Sequence, residues 1–178
     1  MTNGIYVLQV ETGAETRVVQ QVKRDQRVDF SDRSGLRLWW PRRKLRIRRR
    51  GRRVNTVVPL FPGYLFLEAP KVDESLFAVF RSTRGFYRFL RDNRNIEPLS
   101  GTDLETIRHF LSFGEVIERS TVSFDENNRI VVRNGPLKGL EGLIIKVDKR
   151  KRRAKVKLDL YENSFTVDLG FDILEGSR

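Results

Sequence analysis

The densest chemistry in this sequence is cationic. One acid, Asp148, is followed by five consecutive cations, Lys149, Arg150, Lys151, Arg152 and Arg153. Apolar strands flank the run, Leu143 to Val147 before it and Ala154 to Leu160 after it. Two strands and a charged turn make a β-hairpin, and its tip repels itself unless an anion docks there. Alternation turns Ala154, Val156, Leu158 and Leu160 toward a core, and Lys155, Lys157 and Asp159 to the other face. Lys146, on the paired strand, falls on that same outer surface. The ridge Lys146, Lys149, Arg150, Lys151, Arg152, Arg153, Lys155 and Lys157 is the first candidate site, with the phosphates of a nucleic acid as its ligand. One or two edge lysines would suffice merely to block sheet-to-sheet pairing. This ridge holds more than that role requires.

A second basic run comprises Arg42, Arg43, Lys44, Arg46, Arg48, Arg49, Arg50, Arg52 and Arg53, nine cations within 13 residues and no acid. Leu45 and Ile47 alternate, and Gly51 permits a turn, so a hairpin fits; a disordered arm is the alternative reading. Arginine grips phosphate bidentately and stacks on exposed bases. The run is therefore an auxiliary nucleic-acid contact. The 178-residue chain carries a formal charge of +12, with a pI near 10.5. Residues 1–113 hold 22 cations against 12 anions, so most of the excess lies there. An anionic membrane is the competing polyanion. Yet no apolar run approaches the ~20 residues of a spanning helix, and there is no long basic amphipathic helix.

Catalytic chemistry finds little support. There is no cysteine and one histidine, His109, set in a helical stretch where a structural or solvated role suffices. No paired carboxylates, metal-ligand cluster, G-x-S-x-G or Walker-type loop occurs. Gly135, Gly139 and Gly142 lack both the spacing and the following helix of a phosphate cradle. A binding protein without active site, metal or cofactor is expected. The opening "MTNGIYVLQVETG" reads as a strand rather than a signal peptide, which makes a cytoplasmic setting the expectation.

The elements that must carry the two basic runs follow from periodicity. Strands are expected at Ile5 to Val10, in "LRLWWP", at Tyr64 to Leu67 and in "GFYRFLRD". Helices are expected at Glu15 to Arg24, Glu74 to Arg81 and Asp103 to Phe113, the last with a capping box between Thr102 and Glu105. Residues 114–127 are polar and read as a linker. Beyond them come five short strands, at Arg129 to Arg133, Glu141 to Val147, Ala154 to Leu160, Ser164 to Asp168 and Asp172 to Glu175. The expected organisation is an α+β domain over 1–113, a linker over 114–127 and a small all-β five-stranded barrel over 128–178. On physical grounds alone, Phe61, beside the Pro62-Gly63 bend, belongs to a core.

Three motifs occur in order: "YVLQVETGAETRVVQQV", "FPGYLF" and "RIVVRNGPLKGLEGLIIKVD". Together they resemble the NusG/Spt5-type transcription elongation factors of bacteria, along nearly the whole chain. The resemblance implies an N-terminal NGN domain of α/β-sandwich type and a C-terminal, SH3-like KOW barrel. It implies RNA polymerase as partner, docked through the clamp helices of its largest subunit onto Tyr6, Phe61, Pro62, Gly63 and Tyr64, which would bring Phe61 to the surface. It implies a KOW protein-partner surface at Leu137, Leu140 and Tyr161, non-template DNA as a further partner, and a monomer. The cationic hairpin and the ending "FTVDLGFDILE" are closer to the LoaP branch, whose members act in processive antitermination and bind an RNA hairpin in the nascent leader. Two alternatives stay open: a general factor whose KOW recruits proteins, and a ribosome-type structural RNA-binding protein.

Overall fold

The computed structural model describes residues 3–31, 34–161 and 163–174. Its chain forms two compact units. The first contains the residues through Trp40 together with Phe61–Ile107. Its elements are β1 (Gly4–Val10), α1 (Glu15–Arg24) and β2 (Arg37–Trp39). The chain then leaves for the second unit, through β3 (Arg42–Arg49) and β4 (Arg52–Pro59), and returns for β5 (Tyr64–Ala69), α2 (Glu74–Ser82) and β6 (Phe86–Phe89). Four strands pair in the order β2-β5-β1-β6, every neighbour antiparallel. Alternation sends Tyr6, Leu8 and Val10 of β1 to one face, where Val18 and Val22 of α1 and Leu76, Val79 and Phe80 of α2 meet them in a single buried cluster. Asp73 caps α2 by accepting from the Leu76 N–H at 2.8 Å.

The first unit also contains a buried acid. Glu15, at the start of α1, is 2% exposed. Its two carboxylate oxygens accept from the Gly13 and Gly63 N–H groups, each at 2.8 Å. One side chain thus clasps the β1–α1 turn to the Pro62-Gly63 bend. Gly63 has φ +80°, and a Cβ there would stand 2.8 Å from the Thr12 hydroxyl. Both facts make glycine the residue for that bend.

The second unit contains Pro41–Leu60 and the chain from Arg108 onward. The division falls inside α3 (Gly101–Leu111). The remaining strands are β7 (Val116–Ile117), β8 (Ser120–Phe124), β9 (Ile130–Asn134), β10 (Ile144–Asp148), β11 (Arg153–Leu160) and β12 (Asn163–Ile173). Five of them form a sheet in the order β10-β11-β12-β8-β9, with β12 and β8 parallel. Ala154, Val156, Leu158 and Leu160 are all buried, as alternation requires. The arginine-rich run is an ordered hairpin, turning at Arg50-Gly51, where both residues have positive φ. That is the geometry of a tight two-residue hairpin turn. Its β3 strand also pairs in parallel with β7, giving a sheet of order β4-β3-β7.

Several expectations therefore change. Residues 114–127 are not a linker. Polar composition concealed two strands there, and β8 is an inner strand whose Ser120, Val122 and Ser123 are buried. The arginine hairpin belongs with the C-terminal strands rather than with residues 1–113, because β7 supplies its backbone partner. The strands expected at Ser164 to Asp168 and Asp172 to Glu175 are one strand, β12, since Leu169 and Phe171 continue its buried pattern through Gly170; Glu175 lies outside the described residues. The third helix begins at Gly101, so Thr102 sits inside its first turn rather than ahead of it.

Two stability tests follow. Glu15→Ala leaves two N–H groups of the clasp without their acceptor and is expected to cost about 2–4 kcal/mol in chemical unfolding. Gly170→Ala places a Cβ 2.9 Å from the Lys44 carbonyl oxygen and 3.0 Å from the Arg119 side chain. It is expected to destabilise by about 1–3 kcal/mol through the clash alone; unfolding midpoints equal to the parent's would contradict either account.

Candidate nucleic-acid interface

Asp148, the lone acid beside the basic tip, orders the β10–β11 turn. Its carboxylate accepts from the Lys151 N–H at 2.8 Å, and the Lys149 carbonyl accepts from the Arg152 N–H at 3.3 Å. Arg152 takes φ +53° to close the turn. Lys146 and Lys155 are cross-strand partners, so both emerge on the outer face, as alternation predicts. Lys146, Lys149, Arg150, Lys151 and Lys157 are exposed. Lys149 lies over the Phe124 ring, 3.7 Å from its centroid, and bonds to the Asn128 side chain.

The rest of the ridge is less open than the sequence suggests. Arg152, Arg153 and Lys155 are half-buried and lean on acids of β12. Arg152 stands 3.7 Å from Asp172, while Arg153 and Lys155 lie 4.0 Å and 3.8 Å from Asp168. The reason is register. Lys155 pairs directly with Asp168, and Arg153 sits one strand position pair further along the same face. These three cations are partly neutralised from within.

In the arginine hairpin, Arg48 faces Arg53 and Arg49 faces Arg52 across the strands. Like charges placed so are destabilising, by roughly 0.2–1 kcal/mol per pair. At the base, Arg43 donates to the Leu60 carbonyl at 2.9 Å. Burial pulls the Arg43 guanidinium down to about 10, opposed by the charge of Asp168, so it remains a cation at neutral pH. Lys44 pairs with Glu118, and Arg42 with Glu115 at 3.5 Å. Arg48, Arg49, Arg50, Arg52 and Arg53 are exposed.

The two basic hairpins, distant in sequence, meet. Arg153 donates to the Arg46 carbonyl oxygen at 2.9 Å. Arg119 ties the arginine hairpin to β12, donating to Asn55 at 2.7 Å and to Asp172 at 2.8 Å, and Asp172 in turn stands 3.7 Å from Arg152. Between the tips lies a cavity of about 600 Å³, lined by Arg46, Arg48 and Arg53 on one side and by residues 150–153 on the other, with no acid in its lining among the described residues.

The residues that the resemblance assigned to polymerase and protein partners divide differently. Phe61 is 3% exposed and packs edge-to-face on Phe66 at 5.6 Å, so it is core, as its physics indicated, and not a surface knob. Tyr6 and Gly63 are also buried; Pro62 is exposed and Tyr64 half-buried. Leu137 and Leu140 are buried, because the turn after Gly135 folds inward and the Leu137 N–H donates to the Ser120 hydroxyl at 2.9 Å. Tyr161 is half-buried. The apolar surface of this unit lies elsewhere. Leu143 and Ile145 are exposed, Ile145 by 56%. Ile145 joins Phe124, Ile130 and Ile144 in lining a groove of about 660 Å³ between the edge strands β9 and β10. Three successive apolar residues, Leu143, Ile144 and Ile145, carried that signal, since a strand cannot hide all three. His109 is structural: its Nε2 lies 2.8 Å from the Pro136 carbonyl oxygen. Among the described residues no cluster of acids and histidines could hold a metal, and no helix is long and apolar enough to cross a membrane.

Comparison with known proteins agrees with the motifs. Residues 5–108 match the family model for NusG, described as transcription termination factor nusG. The transcription termination/antitermination protein NusG of Buchnera aphidicola subsp. Acyrthosiphon pisum is 26% identical over 171 residues, covering 96% of this chain and 94% of that one. Its namesake from Vibrio cholerae is 25% identical, covering 96% and 93%. Among solved structures, one describing domain interaction in Thermotoga maritima NusG superposes with a TM-score of 0.54 at 20% identity, over 94% of this chain and 93% of that one, a likeness of fold. The match of more than half the chain to the family model, reinforced by relatives aligned end to end, shows that this chain belongs to the NusG family.

Proposed function

We propose that this chain is a transcription termination/antitermination factor that works by binding, holding RNA polymerase with its first unit and an RNA hairpin of the nascent leader with the β10–β11 tip. The observation that carries the RNA assignment is the tip itself: Lys149, Arg150 and Lys151 are exposed around a turn that Asp148 keeps ordered. A preorganised cluster of cations loses little entropy on meeting phosphate, and releases counterions as it does so. On this reading the protein acts as the LoaP branch of processive antiterminators does. Selection of transcripts then comes from the RNA contact and persistence of elongation from the polymerase contact. For the polymerase, the clamp helices of the largest subunit are the partner, and the exposed Pro62 with Tyr64 offers the contact. Phe61 and Gly63 set the shape of that bend from beneath.

A second reading has an observation of its own. The groove lined by Ile145, Ile144, Ile130 and Phe124 fits an apolar segment of a protein partner, which is how a general factor of the family would recruit one. The groove shares Lys146 and Lys149 with the basic ridge, but its apolar residues and the tip cations Arg150 and Lys151 are distinct, so the two readings separate by mutation.

Replacing Lys149, Arg150 and Lys151 together by glutamine is expected to reduce the slope of log affinity against log salt for a leader RNA hairpin by about 2, at 0.7–0.9 per lost phosphate contact. Unchanged affinity and slope would refute the RNA assignment. Ile145→Asp is expected to leave RNA binding intact; loss of RNA binding there would shift the site to the groove. For the polymerase contact, Tyr64→Ala is expected to weaken binding to core RNA polymerase about tenfold, with the melting temperature held near the parent's. Phe61→Ala is expected to act through stability instead, costing about 3–5 kcal/mol. A Tyr64→Ala protein with parental polymerase affinity would remove this bend from the interface.

A further inference from the structure

The geometry points to a single phosphate-binding cleft in the second unit, built jointly by the β3–β4 and β10–β11 hairpin tips, that grips a short run of RNA backbone from both sides. This inference rests on the RNA reading above and deepens it: the arginine hairpin becomes half of the site rather than an auxiliary arm.

Four observations support the cleft. First, the hairpins are physically joined, by the Arg153 bond to the Arg46 carbonyl and through Asp172 of β12, which stands near both Arg46 and Arg152. Second, the cavity between them is lined by cations from both hairpins and, among the described residues, by no acid. Third, its volume of about 600 Å³ is that of a site for a small ligand, so it receives a few linked phosphates and sugars rather than the width of a duplex. Fourth, the self-repulsion is placed at the cleft mouth. Arg48 opposes Arg53 directly, while Arg150 and Lys151 stand exposed on the other wall. Arg46 and Arg152, deeper in, share Asp172 at 3.6 Å and 3.7 Å. The cations that share β12 acids thus form the floor, and the exposed rim is less neutralised, with Lys151 4.0 Å from the turn's own Asp148. Polyphosphate entering between the rims relieves repulsion on both walls at once. Guanidinium forks on opposite walls suit the non-bridging oxygens of successive phosphodiesters, each taking two parallel N–H bonds.

A further consequence distinguishes a binding role from a structural one. Charge removal at the mouth relieves repulsion in the free protein while it weakens the complex. A residue with only a structural role would not trade stability against affinity in this way.

The test uses the full chain and two probes, a synthetic RNA stem-loop and a DNA stem-loop of the same sequence, titrated over a series of KCl concentrations. One variant carries Arg48→Gln and Arg53→Gln, a second carries Arg150→Gln and Lys151→Gln, and a third carries all four. Each double variant is expected to lose about tenfold in RNA affinity and to lower the salt slope by about 1.4–1.8. The Arg48/Arg53 variant is also expected to melt at or above the parent's temperature. The fourfold variant is expected to lose less than the product of the two separate losses, because one wall alone no longer holds the strand in the cleft. If the Arg150/Lys151 variant weakens RNA binding and the Arg48/Arg53 variant does not, the joint cleft is wrong while the RNA reading survives. If the Arg48/Arg53 variant weakens only the DNA probe, the two hairpins serve different ligands and the joint cleft is again wrong. If neither variant changes RNA affinity, or the parent does not bind RNA, the RNA reading itself fails, and the cleft with it.

Discussion

The second unit depends on how one carboxylate disposes of three guanidinium groups. Asp172, on β12, takes Arg119 at 2.8 Å, Arg46 at 3.6 Å and Arg152 at 3.7 Å. Those cations come from three parts of the chain: the segment leading into β8, the arginine hairpin and the β10–β11 tip. Without the acid, three partly desolvated cations would face one another where hairpin and sheet join. With it, the hairpin is tied to the sheet. Because one negative charge balances only one of three positive ones, the junction keeps an excess. The same contact that builds the fold therefore leaves it short of anions.

That shortage is arranged in depth. Asp168 and Asp172 attenuate the cations nearest the sheet, and farther out Arg48 faces Arg53 and Arg49 faces Arg52 across the arginine hairpin. A nucleic-acid strand would complete the sequence as the next layer of negative charge. The first unit is organised by a different rule. There the buried Glu15 spends both oxygens on backbone N–H groups, and the outcome is a fixed bend with Pro62 presented at its tip. One unit uses charge to remain receptive and the other uses it to hold a shape.

Much of this was legible in the sequence. Periodicity located α1, α2 and the principal strands, and the alternation of Ala154 to Leu160 gave the correct core face. Both hairpins were visible from their composition, and the turn at Gly51 from its glycine. Residues 114–127 misled because an inner strand with Ser120 and Ser123 at buried positions looks polar; each serine is hidden for its hydrogen bonds, Ser120 with the Leu137 N–H and Ser123 with Arg133. The meeting of the two basic runs could not be seen at all. It depends on a parallel pairing between β3 and β7, some seventy positions apart in the chain, and sequence periodicity carries no information about partners at such range. Phe61 shows the opposite case. Local physics placed it in the core, and position-by-position transfer from relatives moved it wrongly to the surface.

The central claim is that both hairpin tips meet the same bound strand. Arginine side-chain Nε–H resonances, followed by NMR during titration of the parent protein with an RNA stem-loop, test it without altering any charge. Signals of Arg48 and Arg53 are expected to shift together with that of Arg150, along one binding curve with one dissociation constant. Movement of the Arg150 signal alone, or curves with different midpoints for the two hairpins, would contradict the account.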